Sequence, residues 1–165
     1  MSRFKPLFFR NLLSMLIIIF TLLFGIFIIT NLYNNESNKP QIGGSFELKD
    51  QNGNIYSSKK VPKKKLIYFG YTFCPDVCPM DILKISNFIG KYPNIKKEID
   101  FIFITVDPER DKPQVLREFL SNFNQEIIGL SGSNEKVSAT LSKFRIYAKK
   151  NNTDSPKDDM YLVDH

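Results

Sequence analysis

Sulfur and imidazole are scarce in this chain: its 165 residues include two cysteines and one histidine. A structural zinc site built from Cys and His takes four donors, and three are present, so that class of site is excluded. No glycine pattern of the nucleotide-binding kind occurs, and no segment repeats. A surplus of positive charge is also missing where it would count. The formal net charge is +6, yet Arg3, Lys5 and Arg10 all precede an apolar stretch. From Pro40 onward 19 basic side chains face 16 acidic ones, a net charge of +3. That balance gives no electrostatic footprint for a polyanion, and no nucleic-acid partner is expected. The one dense basic stretch, Lys59, Lys60, Lys63, Lys64 and Lys65, reads as a solvated loop before a buried strand, with a docking patch as the alternative.

What is present concentrates in Tyr68-Phe69-Gly70-Tyr71-Thr72-Phe73-Cys74-Pro75-Asp76-Val77-Cys78-Pro79, which holds both cysteines, while the histidine is His165. A redox pair of the thioredoxin kind has two residues between its cysteines; here there are three. On a helix, i and i+4 share one face. Two thiolates so placed can close on one metal ion, or form a disulfide if the first cysteine lies in irregular chain ahead of the helix. Two thiolates and an imidazole match the soft-ligand preference of copper, above all Cu(I). The plain alternative is that both cysteines are small core residues. Leu66–Phe69 reads as a buried strand, and Cys78, Ile82, Ile85 and Ile89 mark one helix face that ends near Gly90 and Pro93. Strand, tight loop, helix places Cys74 at a helix mouth, where unpaired N–H groups favour a thiolate. Cys74 is therefore expected to be the more reactive thiol, with Cys78 pointing inward.

Leu12–Ile29 carries no charge and is long enough to span a bilayer as a helix. No small-x-small cleavage site follows in Thr30-Asn31-Leu32-Tyr33, so a retained anchor is expected rather than a signal peptide. Basic residues before the span and none until Lys39 after it put the N-terminus in the cytoplasm and the bulk outside, which in a bacterium is the periplasm. The chain thus divides into a basic N-terminus (1–11), a transmembrane anchor (12–30), a linker (31–43) and a domain (44–165). Within the domain, Asn52-Gly53 signals a hairpin between Ser45–Asp50 and Asn54–Ser57. Phe101–Val106 and Ile127–Leu130 read as strands, and Pro113 opens a helix with Leu116, Phe119, Leu120 and Phe123 on its apolar stripe. A further helix carries Val137, Leu141, Phe144 and Ala148 on one face, and Lys149–Asp159 reads as a loop. The alternation predicts a layered α/β fold with parallel strands.

Three motifs in order, Phe69-Gly70-Tyr71-Thr72-x-Cys74-Pro75-x-x-Cys78-Pro79, Ile104-Thr105-Val106-Asp107-Pro108-Glu109-Arg110-Asp111 and Tyr161-Leu162-Val163-Asp164-His165, resemble the Sco/SenC family of membrane-anchored copper chaperones. The resemblance runs from about Gly44 to the end. It implies a thioredoxin-like, three-layer fold with an N-terminal β-hairpin. It further implies one copper ion per domain, Cu(I) or Cu(II), held by Cys74, Cys78 and His165. The implied role is assembly of the copper centre of cytochrome c oxidase, with the copper-bearing oxidase subunit, other copper chaperones and thiol reductants as partners. Asp107 then orients a ligand or a partner, or is simply the turn former of Asp-Pro beside Asp111. Met80 and Met160 are soft enough to touch Cu(I), and equally suit gap-filling or exposed thioethers. Family members continue past the Asp-His pair with a strand hairpin and a closing helix, so an incomplete domain with an open edge at Leu66–Tyr71 is expected. A thiol-disulfide oxidoreductase in which Cys74 attacks and Cys78 resolves, and a non-functional remnant, are the alternative readings.

Overall fold

The computed structural model describes residues 5–37, 42–124, 126–151 and 160–163. The chain divides into two compact units, Met1–Gln41 and Ile42–His165. The first is built on one helix, α1 (Lys5–Ser37). Its stretch Ser14–Leu32 has 19 residues and a mean hydropathy of 2.6. At roughly 1.5 Å per residue this matches a hydrocarbon core of about 30 Å. Leu16, Ile17, Ile18 and Ile19, which point in four directions around the helix, are all exposed, the all-round apolar surface that a membrane span presents. Pro6 stands in the first turn of α1, where its missing N–H costs nothing, and the helix runs through the first residues of the segment read as a linker.

The second unit opens with β1 (Glu47–Asp50) and β2 (Ile55–Ser57), paired antiparallel as the Asn-Gly turn predicts. Gly53 sits at φ 87°, the left-handed region such a turn needs. The Asp50 carboxylate accepts the Asn52 and Asn54 N–H groups at 2.8 Å, which fastens the turn from inside. Next come β3 (Lys64–Gly70), α2 (Val77–Lys91), a 3₁₀ turn at Pro93–Lys97, β4 (Ile99–Thr105), α3 (Pro113–Ser121), β5 (Ile127–Ser131) and α4 (Asn134–Phe144). The sheet order is β2-β1-β5-β4-β3, with β3, β4 and β5 parallel and β1 antiparallel to β5. Among the described residues β3 is an edge of this sheet, the position expected for the open edge.

Alternation along β4 divides the core. Phe101 and Phe103 pack with Ile82 and Ile89 of α2, Leu116 and Leu120 of α3, and Ile127. Ile102 and Ile104 face the other way, with Leu130, Val137 of α4, Phe46 and Leu48. Helices therefore cover both faces of the sheet, and each such side chain contributes about 1.5–3 kcal/mol over an exposed one.

α2 ends at Lys91, beside Gly90 and ahead of the 3₁₀ turn that Pro93 opens, as its apolar face predicts. One sequence expectation needs correction. Ala148 does not belong to α4: Arg145 adopts φ 57° as a left-handed cap, and Ala148–Lys150 is a strand, β6. β6 pairs antiparallel with β7 (Tyr161–Val163), so the segment read as a loop from Lys149 begins in a two-stranded ribbon. The error has a physical source. Ala148 lies four residues after Phe144 and fits a helical period, whereas β6 is fixed by a distant partner that no local period reveals.

Candidate metal centre

The site stands where the parallel strands end. Gly70 closes β3, and its carbonyl accepts the Val106 N–H at 2.8 Å. A Cβ at Gly70 would lie 2.8 Å from the Tyr68 ring, 3.0 Å from Cys78 Sγ and 3.2 Å from the Phe103 ring. Glycine is thus what lets the second cysteine tuck against the strand. The chain then turns through Tyr71–Asp76 into α2, with the Cys74 N–H donating to Tyr71 O at 3.3 Å. Asp76 stands at the N-cap of α2 without a side-chain cap bond. In its place Cys74 Sγ accepts the Cys78 N–H at 3.4 Å, so a sulfur satisfies one of the orphan first-turn amides. Cys78 is 1% exposed, Cys74 is half-buried, and both are free thiols.

These surroundings separate the two sulfurs chemically. Burial pushes the Cys74 thiol up, but the backbone N–H groups of Cys78 and Asp76, aided by the Cys78 and Tyr71 side chains, outweigh it and lower the value overall. For Cys78 burial dominates; the Tyr71 backbone acts against it, yet the thiol is pushed up to about 11. Burial also raises the phenols of Tyr68 and Tyr71, which stand within hydrogen-bonding reach of Cys78 and Cys74 respectively.

A second loop, between β4 and α3, supports the first. Asp111 is buried and accepts the Thr72 N–H at 3.0 Å, the Thr72 hydroxyl at 2.6 Å and the Thr105 hydroxyl at 2.6 Å. Asp107, also buried, pairs with Arg110 through the guanidinium Nε. The Arg110 guanidinium lies 5.0 Å from the Phe73 ring and 5.9 Å from the Tyr161 ring, joining the cysteine loop to β7 by cation–π contacts. Tyr71 and Tyr161 rings stand 5.5 Å apart, and the Tyr71 hydroxyl donates to Tyr161 O at 3.5 Å. Burial, reinforced by the Asp107 charge, pushes the Tyr161 phenol up to about 12.

Of the residues named from the sequence, Cys74 and Cys78 come together, and His165 lies outside the described residues. Asp107 spends its carboxylate on Arg110 rather than on a sulfur, while Asp111 is the acid that grips the cysteine loop. Met80 and Met160 are exposed. Sequence reasoning missed Thr72, Tyr68, Tyr71, Thr105 and Tyr161. Thr72 and Tyr71 lie inside the first motif, but nothing local marks them, because the partner of Thr72 is 39 residues away. Among the described residues no three His, Cys, Asp or Glu side chains converge on a metal position. The two thiols are the described donors, and a pair of soft sulfurs, one already inclined to ionise, suits Cu(I).

Comparison with known proteins agrees with this chemistry. Residues 34–165 match the family model described as SCO1/SenC. An SCO2-like protein of Rickettsia prowazekii is 42% identical over 134 residues, covering 81% of this chain and 65% of that protein. Protein sco1 of Schizosaccharomyces pombe is 44% identical over 129 residues, 77% of this chain and 49% of that one. The chain thus spans about half to two thirds of the length of these curated relatives. Among solved structures, Bradyrhizobium japonicum ScoI with copper bound superposes with a TM-score of 0.68 at 41% identity, over 75% of this chain and 78% of that chain. With the paired thiols at the end of a parallel sheet and a family match that takes in both of them, the chain belongs to the SCO1/SenC family.

Proposed function

We propose that this protein carries copper for assembly of cytochrome c oxidase, holding one ion, Cu(I) or Cu(II), through Cys74, Cys78 and His165. The observation that carries the reading is the sulfur of Cys74 seated on the Cys78 N–H, with its thiol lowered while that of Cys78 is raised. One sulfur is ready to bind as thiolate at the surface; the other is released from its proton only when a metal replaces it. The relative from Bradyrhizobium, solved with copper bound, supports the choice of metal. Support for the third ligand is indirect: β7, which ends at Val163, packs on Tyr71 of the cysteine loop.

In this reading α1 holds the domain at the inner membrane of a bacterium, with the N-terminus cytoplasmic and the copper-binding domain in the periplasm. The acceptor is the copper-bearing oxidase subunit; other copper chaperones and thiol reductants load and reduce the site. Transfer proceeds by exchange between soft ligands, and no catalytic residue is assigned. The thiol asymmetry also favours a second reading, thiol-disulfide exchange with Cys74 attacking and Cys78 resolving.

The test is a Cu(I) competition titration of the reduced full chain in detergent. One equivalent is expected, with large losses of affinity for Cys74→Ser and Cys78→Ser and a clear loss for His165→Ala. A wild-type chain that binds no copper yet exchanges disulfides through Cys74, unaffected by His165→Ala, would establish the second reading instead.

A further inference from the structure

The loop that carries Cys74 has little apolar anchorage. Phe73 is 57% exposed and Val77 is exposed as well, so within residues 72–77 contact with the apolar core comes down to the half-buried Cys74. What holds them is polar. Both Asp111 oxygens are engaged, Oδ1 by the Thr72 hydroxyl and Oδ2 by the Thr72 N–H and the Thr105 hydroxyl. Burial raises the Asp111 carboxyl above its ordinary value, and the three donors that replace its water act against that rise. Two of the three come from Thr72, two residues before Cys74. The Thr105 hydroxyl in turn accepts the Asp107 N–H at 2.9 Å, so the clamp is tied to the end of β4 and does not move with the loop. Cys74 is further tethered by its own N–H, which donates back to Tyr71 O across the same turn. Held at 72 and at 74, the loop leaves the sulfur one place to stand, above the Cys78 N–H.

We propose that Thr72 and Asp111 are positioning residues for Cys74, fixing its sulfur over the first turn of α2 and thereby setting its reactivity and its grip on copper. Neither touches the metal. The copper part rests on the reading of Cys74 as a ligand; the reactivity part does not.

The experiment uses the reduced, copper-free full chain in detergent and follows iodoacetamide modification of each cysteine by peptide mass spectrometry near neutral pH, with Cu(I) competition in parallel. Thr72→Val keeps the side-chain shape and removes the hydroxyl. It is expected to slow Cys74 modification and weaken Cu(I) binding, each by about tenfold, the scale of losing an outer-shell partner. Thr72→Ser, which keeps the hydroxyl, restores both. Asp111→Asn follows Thr72→Val in direction. Wild-type rates and affinities in Thr72→Val, or a Thr72→Ser variant as impaired as Thr72→Val, would overturn the proposal. Faster modification of buried Cys78 in Thr72→Val would overturn it too, by showing general loosening. If the wild type binds no copper, the copper reading fails on its own, and the Cys74 rates of the two Thr72 variants still decide the positioning role.

Discussion

Two strand-to-helix turns in this fold stand at equivalent places and differ in chemistry. After β5, the chain passes Gly132 and enters α4 with Ser133 as N-cap, whose hydroxyl accepts the Lys136 N–H. After β3, it passes Gly70 and enters α2 with no side-chain cap from Asp76, and Cys74 Sγ accepts the first-turn N–H instead. The first turn solves a backbone problem with an inert hydroxyl. The second solves it with a titratable sulfur, and the helix amides that need an acceptor then lower that thiol. A helix start becomes a site when the group completing it can change charge and another loop holds it there. The β5–α4 turn meets the same loop through an exposed contact, the Asn134 amide donating to Glu109 Oε1 at 3.0 Å, in place of the buried Asp111 clamp.

The largest effect that sharpens this comparison is a difference between the two thiols. The thiolate is the nucleophile, so a lowered value moves the pH inflexion of modification downward and a raised one moves it upward. Cys74 should show its inflexion below the ordinary value of 9.0, and Cys78 near 11. At neutral pH their thiolate fractions should then differ by at least about a hundredfold, since each unit is a factor of ten, and Cys74 should be modified much the faster. Inflexions that coincide, measured by alkylation rate against pH on each single-cysteine variant, would break the comparison.

Next in size is the glycine that precedes each turn. Gly70→Ala drives a methyl into two rings and a sulfur at once and should cost about 1–3 kcal/mol in denaturant unfolding. Gly132→Ala meets the tip of Leu48 at 3.0 Å, and that flexible end can give, so the loss should stay below about 1 kcal/mol. Equal losses would mean that Cys78 is not packed against Gly70 in solution.

Smaller still are the caps. Ser133→Ala should destabilise the domain by about 1 kcal/mol. Cys74→Ala in the reduced, metal-free protein should cost about 0.5 kcal/mol, because sulfur is a weak acceptor. Cys74→Ser should recover that loss while copper binding does not return. Thermal unfolding of the three variants checks the order, and a Cys74→Ala variant as stable as the wild type would deny the sulfur its capping role.

The sequence by itself determined whatever rests on short-range chemistry. Asn52-Gly53 specified a tight turn because its backbone needs positive φ, and the hairpin formed there. The apolar run before Gly70 and the i, i+4 spacing after Cys78 located the cysteines on a strand–loop–helix unit and turned Cys78 inward. Ser14–Leu32 is apolar on every side, and length alone says what it can cross. Only the tertiary structure decided which strand lies beside which, that β1 joins β5, and that Ala148 pairs with Val163 rather than extending α4. It also decided that Asp111, not Asp107, is the acid that grips the cysteine loop. A residue's own neighbours set its backbone preference and the face it presents, and these can be read along the chain. A buried carboxylate instead takes whichever donors the packing of two distant loops brings to it, and that choice exists only once the sheet has brought Thr72 and Asp111 together.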